Sequence, residues 1–307
     1  MRRLTWILAA ITALAPVVVP AQAQAASATS YRVWHWNIAG NTMHRASTTD
    51  GLVAAAARSI QDNGASFASL NELCVQQFDA LIKSLREAGW PADPANFARF
   101  EATIPGRTGG PCAGKDYGIG LFSKRPLGKA DRFTLPDDGN EPRKLLCAPL
   151  QEQPHLRFCT THSTFVDAFR LPQLEAIFGR LDAYFARGDQ VIVAGDFNVS
   201  PSIARMNRFY SAQVNTPNND HNSGHYREVD DADPAACPGY GETTVEAAGG
   251  DGPCGTGVKI DMIFTHERDY VASASSGDAK SSPRTCGGKA CSDHRILVGS
   301  VALNPAP

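Results

Sequence analysis

Short apolar or alternating runs recur along this chain, each closed by glycine, proline or a polar residue. They predict strands at Tyr31–Ile38, Phe67–Leu70, Gly118–Phe122, Leu145–Leu150, Leu156–Thr161, Val191–Ala194, Lys259–Phe264 and Arg295–Leu303. Three segments carry the helical period instead. Asp50–Asn63 places Leu52, Ala55, Ala56 and Ile60 on one face, and Gln76–Ala88 places Phe78, Leu81, Ile82 and Leu85. Leu171–Arg187 does the same with Leu174, Ile177, Phe178, Leu181 and Phe185. Gly89 and Gly188 stand where helices stop, and Pro172 where one starts. These stripes read as core. Helices between some strands and hairpin spacing between others predict a mixed α/β domain from Tyr31 to Leu303. The Gly-, Asn-, Asp- and Pro-rich stretch Asn215–Gly257 reads as a functional loop, and Tyr270–Thr285 as an exposed one.

The first residues break this pattern. Arg2 and Arg3 precede an apolar run, Leu4–Val19, followed by Ala21-Gln22-Ala23-Gln24-Ala25. That is the layout of a secretory signal peptide over 1–25, since a membrane span needs a longer uninterrupted run. The expectation is a secreted, extracellular protein whose mature part is 26–307. Removing Arg2 and Arg3 takes Lys and Arg from 29 to 27 against 31 acids, a net charge of −4. No basic stripe is present to grip a polyanion unaided, which counts against a nucleic-acid-binding module without chemistry. All eight cysteines lie in the mature part. An even count in an exported chain predicts disulfides, with about a hundred pairings open. Pairing neighbours joins Cys286 with Cys291, Cys237 with Cys254 and Cys147 with Cys159, and leaves Cys74 for Cys112. No CxxC pair occurs, so a zinc site is disfavoured.

The chemistry lies at the ends of the strands. Val191-Ile192-Val193-Ala194 runs into Gly195-Asp196-Phe197-Asn198. On an extended backbone Asp196 and Asn198 share a face, where an acceptor beside an amide can hold and orient a water. The competing reading is a turn, because Gly, Asp and Asn form turns. Glu72 follows Phe67-Ala68-Ser69-Leu70-Asn71, and a carboxylate there suits a hard cation such as magnesium. Asn37, after Val33-Trp34-His35-Trp36, offers an amide to the metal or the phosphate. His162 closes one strand, while Asp293 and His294 open another. Asp261 lies inside an apolar strand, where a carboxylate is costly unless paired, and a histidine is the natural partner. His35, His44, His155, His221, His225 and His266 lack such company and read as surface or loop residues.

In this order the segments Trp36-Asn37, Asn71-Glu72, Thr161-His162-Ser163, Gly195-Asp196-Phe197-Asn198, Lys259-Ile260-Asp261 and Ser292-Asp293-His294 resemble the endonuclease/exonuclease/phosphatase superfamily. It includes deoxyribonuclease I, abasic-site endonucleases, bacterial sphingomyelinases, cytolethal distending toxin nucleases and inositol polyphosphate 5-phosphatases. The resemblance spans nearly the whole mature chain. It implies a four-layer α/β sandwich, two packed, mostly antiparallel mixed sheets flanked by helices. It implies magnesium, with manganese or calcium as alternatives, and in-line attack by water without a covalent intermediate. Glu72 is then the main metal ligand, assisted by Asn37 and Asp293. Asp196 orients or deprotonates the water, Asn198 contacts water or phosphate, and Asp261 orients His294. His294 is the base and His162 the general acid. Tyr117 and Arg143 are further candidates for phosphate contact.

The histidine of Thr161-His162-Ser163 resembles the deoxyribonuclease I, toxin and sphingomyelinase branches; abasic-site endonucleases lack it. The inositol phosphatase signature is absent. Between the strand end at Phe264 and Asp293 only Tyr270 could tip an aromatic membrane hairpin. A nucleic acid substrate is therefore favoured. A phospholipase C or sphingomyelinase acting on phospholipid head groups is the alternative, and a secreted phosphomonoesterase the third reading. Every matched position is filled, which counts against a catalytically dead binding module. Nothing implies a stable protein partner, so a monomer is expected.

Overall fold

The computed structural model describes residues 27–306 apart from 92, 234, 247 and 248. The leader expected at 1–25 lies outside the described residues. The chain begins with β1 (Thr29–Asn37), α1 (Leu52–Asp62), β2 (Phe67–Cys74) and α2 (Val75–Glu87). A single turn, α3 (Pro94–Phe97), leads to β3 (Ala98–Ile104), and another, α4 (Pro111–Gly114), to β4 (Tyr117–Ser123). Then come β5 (Asp131–Thr134), β6 (Lys144–Pro149), β7 (Leu156–His162), α5 (Asp167–Phe185) and β8 (Gln190–Asp196). The last strands are β9 (Tyr226–Glu228), β10 (Asp261–His266), β11 (Ser276–Lys280) and β12 (Ile296–Leu303).

Two six-stranded sheets form, ordered β11-β12-β1-β2-β4-β3 and β5-β6-β7-β8-β10-β9. All the ladders are antiparallel except β1 with β2 and β7 with β8. Parallel neighbours need a crossover, and α1 and α5 supply one each. Leu52, Ile60, Leu81 and Leu85 of α1 and α2 pack with Trp34, Trp36 and Leu70 on the outside of the first sheet. Leu174, Ile177, Phe178 and Leu181 of α5 pack with Val193, Met262 and Phe264 on the outside of the second. Val33, Phe67, Leu121, Phe158, Ile192, Ile263 and Leu297 fill the space between the sheets. Helix, sheet, sheet and helix stack in four layers, the expected sandwich.

The four disulfides are Cys74–Cys112, Cys147–Cys159, Cys237–Cys254 and Cys286–Cys291, the neighbour pairing. Some expectations are corrected. Helix α5 starts at Asp167, a turn before Leu171, so Pro172 sits inside it rather than at its start. β3 and β5 have partly exposed, polar-rich patterns that no apolar run announces. Tyr270–Thr285 is not all loop: β11 hydrogen-bonds to β12 within it.

The long stretch Asn215–Gly257 contains β9 and a buried ionic knot. Lys259 has no exposed surface, and its Nζ lies 3.1 Å from Glu228 and 2.7 Å from Asp230. Glu228 also accepts from Ile263 N, so the knot fastens this stretch to β10. Burial pushes Glu228 up to about 7 against the pull of Lys259. Lys259→Met removes the cation and leaves two buried carboxylates, which should destabilise the fold by about 3–5 kcal/mol at neutral pH. Glu228, whose pKa burial already raises, can take a proton as pH falls through that value, so the loss should shrink in mildly acidic buffer. Urea unfolding at both pH values is the measurement, and a variant as stable as the parent at neutral pH would refute it.

Candidate active site

Successive residues of a strand face opposite sides of the sheet. On β1, Trp34 and Trp36 go to the helix side while Tyr31 and Val33 enter the core between the sheets. The inner face continues to His35 and Asn37. On the same rule β2 presents Phe67, Ser69 and Asn71; β7 presents Phe158, Thr160 and His162; β8 presents Ile192, Ala194 and Asp196. Each inner face is apolar where the strand starts and polar at its carboxyl end. The two parallel pairs face each other there: Ser69 Oγ meets Thr160 Oγ1 at 2.7 Å, and Asn71 Oδ1 accepts from Asp196 N at 2.9 Å. Asp261 lies opposite Asp196 in the β8–β10 ladder. Gly195 permits the close approach of β7 and β8, since a Cβ there would collide with the Thr161 carbonyl.

Glu72 reaches this inner face by a break in the pattern. Regular alternation would turn it toward α1 and α2, like Leu70. Its φ of 55° is left-handed and the β2–β4 register shifts between Leu70 and Leu73, a bulge that re-aims the side chain at a local backbone cost of about 1–3 kcal/mol. Asn37 Nδ2 then donates to Glu72 Oε1 and to Asp196 Oδ2, both at 3.1 Å. Tyr117, at the start of β4, lies beside Glu72. Burial and then the Glu72 charge raise the Tyr117 phenol above its ordinary value, so it stays a proton donor.

Asn198 does not continue the strand. Its φ of 50° is left-handed, its N donates to Asp196 Oδ1 at 2.9 Å, and its Nδ2 donates to Ser163 O at 2.9 Å. The shared-face argument for Asp196 and Asn198 is thus replaced by a turn that holds one oxygen of Asp196. The other, Oδ2, lies 3.5 Å from His162 Nε2 and 3.9 Å from His294 Nε2. Ser292 holds the last motif in place: its Oγ donates to Asn37 O at 2.6 Å and accepts from His294 N at 3.0 Å. Trp36 Nε1 donates to His294 O at 2.9 Å. Asp293 is exposed on the rim, its Oδ1 3.4 Å from Ser292 Oγ.

Asp261 is fully buried and holds two imidazoles. His294 Nδ1 donates to Oδ2 at 2.8 Å, and His35 Nε2 donates to Oδ1 at 3.0 Å. His35 is a correction: it has no exposed surface and is not a loop residue. Its position two residues before Asn37 on one strand face was the available signal. His44 is corrected too, since it is buried between Asp50, at 2.6 Å, and the Cys291 carbonyl, at 2.7 Å.

The two site histidines differ in charge. Burial, then Arg143, holds His162 well below the imidazole range, so it is neutral. Burial also disfavours the His294 cation, but Asp261 and then Asp196 outweigh it and push His294 up to about 10. Burial and the Asp261 charge raise Asp196 above the usual carboxylate range. These directions leave the resting proton on His294 rather than on His162.

Arg143 is 4% exposed; its Nη1 lies 3.3 Å from Glu141 Oε2 as an ion pair without hydrogen-bond geometry, and its Nε has no hydrogen-bond partner. It precedes β6, whose Lys144 lies opposite His162. His162 Nδ1 is also buried and unpartnered.

For a metal, one oxygen each of Asp196 and Asp261 and a ring nitrogen of His294 lie within 4.8 Å of one another. Both Asp261 oxygens already accept imidazole protons, so this trio is an acid–base cluster first. Glu72, with Asn37 beside it and Asp293 on the rim, offers oxygen donors only, and every cysteine is in a disulfide. That donor chemistry fits a hard divalent cation.

Solved structures share this architecture. An endonuclease/exonuclease/phosphatase from Beutenbergia cavernae DSM 12333 is 20% identical with a TM-score of 0.60, over 91% of this chain and 72% of that one. A counterpart from Bacteroides vulgatus is 17% identical with a TM-score of 0.60, over 90% and 99%. The human Nocturnin catalytic domain with bound sulfate is 17% identical with a TM-score of 0.58, over 89% and 94%. At these identities the likeness is one of fold. No curated protein matches the chain. The model of the Endonuclease/Exonuclease/phosphatase family matches residues 34–294, and the chain belongs to that family.

Proposed function

We propose that this protein is an exported, divalent-metal-dependent phosphodiesterase that cleaves by attack of water, and that its substrate is nucleic acid, cut as by a deoxyribonuclease I-like endonuclease. The observation that carries the chemistry is Arg143. A buried guanidinium whose Nε has no partner and whose Nη1 is ion-paired with Glu141 but not hydrogen-bonded, beside a buried histidine with a bare ring nitrogen, has capacity for a further acceptor. A phosphate oxygen is the acceptor that a guanidinium fork suits.

Glu72, with Asn37 and Asp293, would hold magnesium, and manganese or calcium take the same donors. Such an ion supplies Lewis-acid polarisation of a phosphate oxygen. Tyr117 and Arg143 orient the phosphate from the Glu72 and His162 sides. Asp196, steadied by the Asn198 turn, presents Oδ2 between the histidines, where a water would lie. Neutral His162 can take a proton and cationic His294 can give one, with Asp261 keeping that proton in place. Exposed Arg45, Arg107 and Lys115 sit on the loops around Glu72 and Tyr117 and suit a polyanion. Four disulfides support export, and among the described residues no helix is long and apolar enough to cross a membrane.

A second reading has its own observation. Met43, Phe165, Ile203 and Val258, the exposed large hydrophobics among the described residues, all lie on loops at the active-site end of the sandwich. That collar favours a phospholipid head group presented at a surface.

Supercoiled plasmid should be nicked in magnesium and spared in chelator. His162→Ala, His294→Ala or Arg143→Ala should each slow nicking by about 10²–10⁴-fold with the fold intact. Near-parental nicking in all three would refute the site. Absent nicking with release of phosphocholine from choline-lipid vesicles would transfer the substrate to the second reading.

The pH profile tests the proton on His294. Its cation is present below its raised pKa and lost above it, so kcat/KM should fall as pH rises through about 10. Asp261→Asn removes the anion that sustains the cation, and the falling limb should move toward the ordinary imidazole value near ~6.5. An unmoved limb in that variant would show that the donor is another group.

A further inference from the structure

We infer that His35 is a positioning residue, fixing the Asp261 carboxylate so that Oδ2 faces His294. The kinetic consequence rests on the phosphodiesterase reading above; the geometry does not. Asp261 is fully buried, and its backbone N is held by Thr244 Oγ1 at 3.1 Å, which fixes the main chain but not the rotation of the carboxylate. Two donors 3.0 and 2.8 Å away, one on each oxygen, fix that rotation. Both reach across from the other sheet, because His35 is on β1 and His294 precedes β12, whereas Asp261 is on β10. Take the His35 donor away and Oδ1 is a buried anion oxygen without a partner, free to turn toward the donor that His294 supplies.

The His35 ring is itself fixed. An ionised carboxylate only accepts, so Nε2 carries a proton and donates to it. Ser69 Oγ lies 2.9 Å from Nδ1, within 2.7 Å of Thr160 Oγ1 and 3.2 Å of Ala194 O. Asn71 Nδ2 reaches Thr160 Oγ1 at 3.5 Å. A polar seam therefore runs from Asn71, whose Oδ1 accepts from Asp196 N, through Thr160, Ser69 and His35 to Asp261. It crosses a layer that is apolar along the rest of each strand face. Apolar side chains would fill that layer without any need for matched partners. The seam instead ends on the one oxygen whose orientation decides where His294 points, in the way an outer partner orients a ligating or catalytic group.

The test compares His35→Gln, His35→Asn and His35→Leu. Gln can carry an amide N–H to the place of Nε2, whereas Asn, equally polar, stops at the place of Nδ1. Two readouts are taken: kcat and KM for bis(p-nitrophenyl) phosphate with magnesium, and the His294 Nδ1–H proton resonance in histidine-15N-labelled protein. His35→Asn and His35→Leu should lose about 10–100-fold in kcat with KM little changed, and lose the resonance. His35→Gln should keep most of both. Equal kcat and equal resonances in the Gln and Asn variants would overturn the inference, and if the Leu variant does not fold, that pair decides. Should the parent protein hydrolyse no phosphodiester, the functional reading fails, and the resonance still decides the role of His35.

Discussion

A carboxylate with no exposed surface must have its charge answered by neighbours, and Asp261 is where that constraint falls hardest. Its two oxygens take protons from two imidazoles of the first sheet, His35 on β1 and His294 at the entry to β12, while Asp261 itself is on β10 of the second. The sheets are thereby tied at one end by a polar link whose geometry is set by hydrogen-bond directions, while the remainder of the interface is held by non-directional apolar contact. Burial raises Asp261, but the two histidines outweigh it and hold it ionised. An ionised, immobile Asp261 is in turn what keeps His294 protonated in spite of its burial.

The location of this polar end follows from topology. Parallel strands bring their carboxyl ends together, and this sandwich has one parallel pair in each sheet, β1 with β2 and β7 with β8. Stacked face to face, the pairs deliver Asn37, Glu72, His162 and Asp196 to one cleft, while the antiparallel neighbours β10 and β12 begin there and add Asp261 and His294. In open α/β sheets ligands sit at the carboxyl ends for a similar reason. The helices between the parallel strands pack on the outside, so the cleft itself is bounded by strand ends and loops. That leaves the loops free to differ in what substrate they admit.

Much of this was legible in the sequence because strand alternation is a strict rule. Val191–Ala194 running into Gly195-Asp196, and Leu156–Thr161 running into His162, place their polar residues by counting. Glu72 was legible as an acid at a strand end but not in its aim, because a left-handed residue and a register shift reverse the direction that counting gives. His35 was concealed for another reason. A histidine between two tryptophans on a buried strand has no local partner, since Ser69 and Asp261 come from elsewhere in the chain. The weak edge strands β9 and β11 escaped because their pairing partners, not their own composition, make them strands. The disulfides were readable by adjacency, since each joins cysteines that follow one another in the chain.

The electrostatics of the cleft bear on what it binds. Glu72, Glu141, Asp196, Asp261 and Asp293 are gathered around Arg143 and the His294 cation, an excess of negative charge in a largely buried space. The excess leaves its mark on individual groups. Burial raises Glu141, with Glu72 and Asp138 adding to it against Arg143, and burial with Asp261 raises Asp196. Carboxyls held above their ordinary range are unsatisfied as anions, and protons are one way to relieve them. A divalent cation at Glu72 is the other. It would lower the cost of ionising Asp196 through their shared partner Asn37, and the anionic phosphate drawn in beside it would then meet Arg143, whose Nε has no acceptor of its own. Cation and phosphate each compensate what the other leaves unbalanced, so a site of this composition favours the two together over either alone.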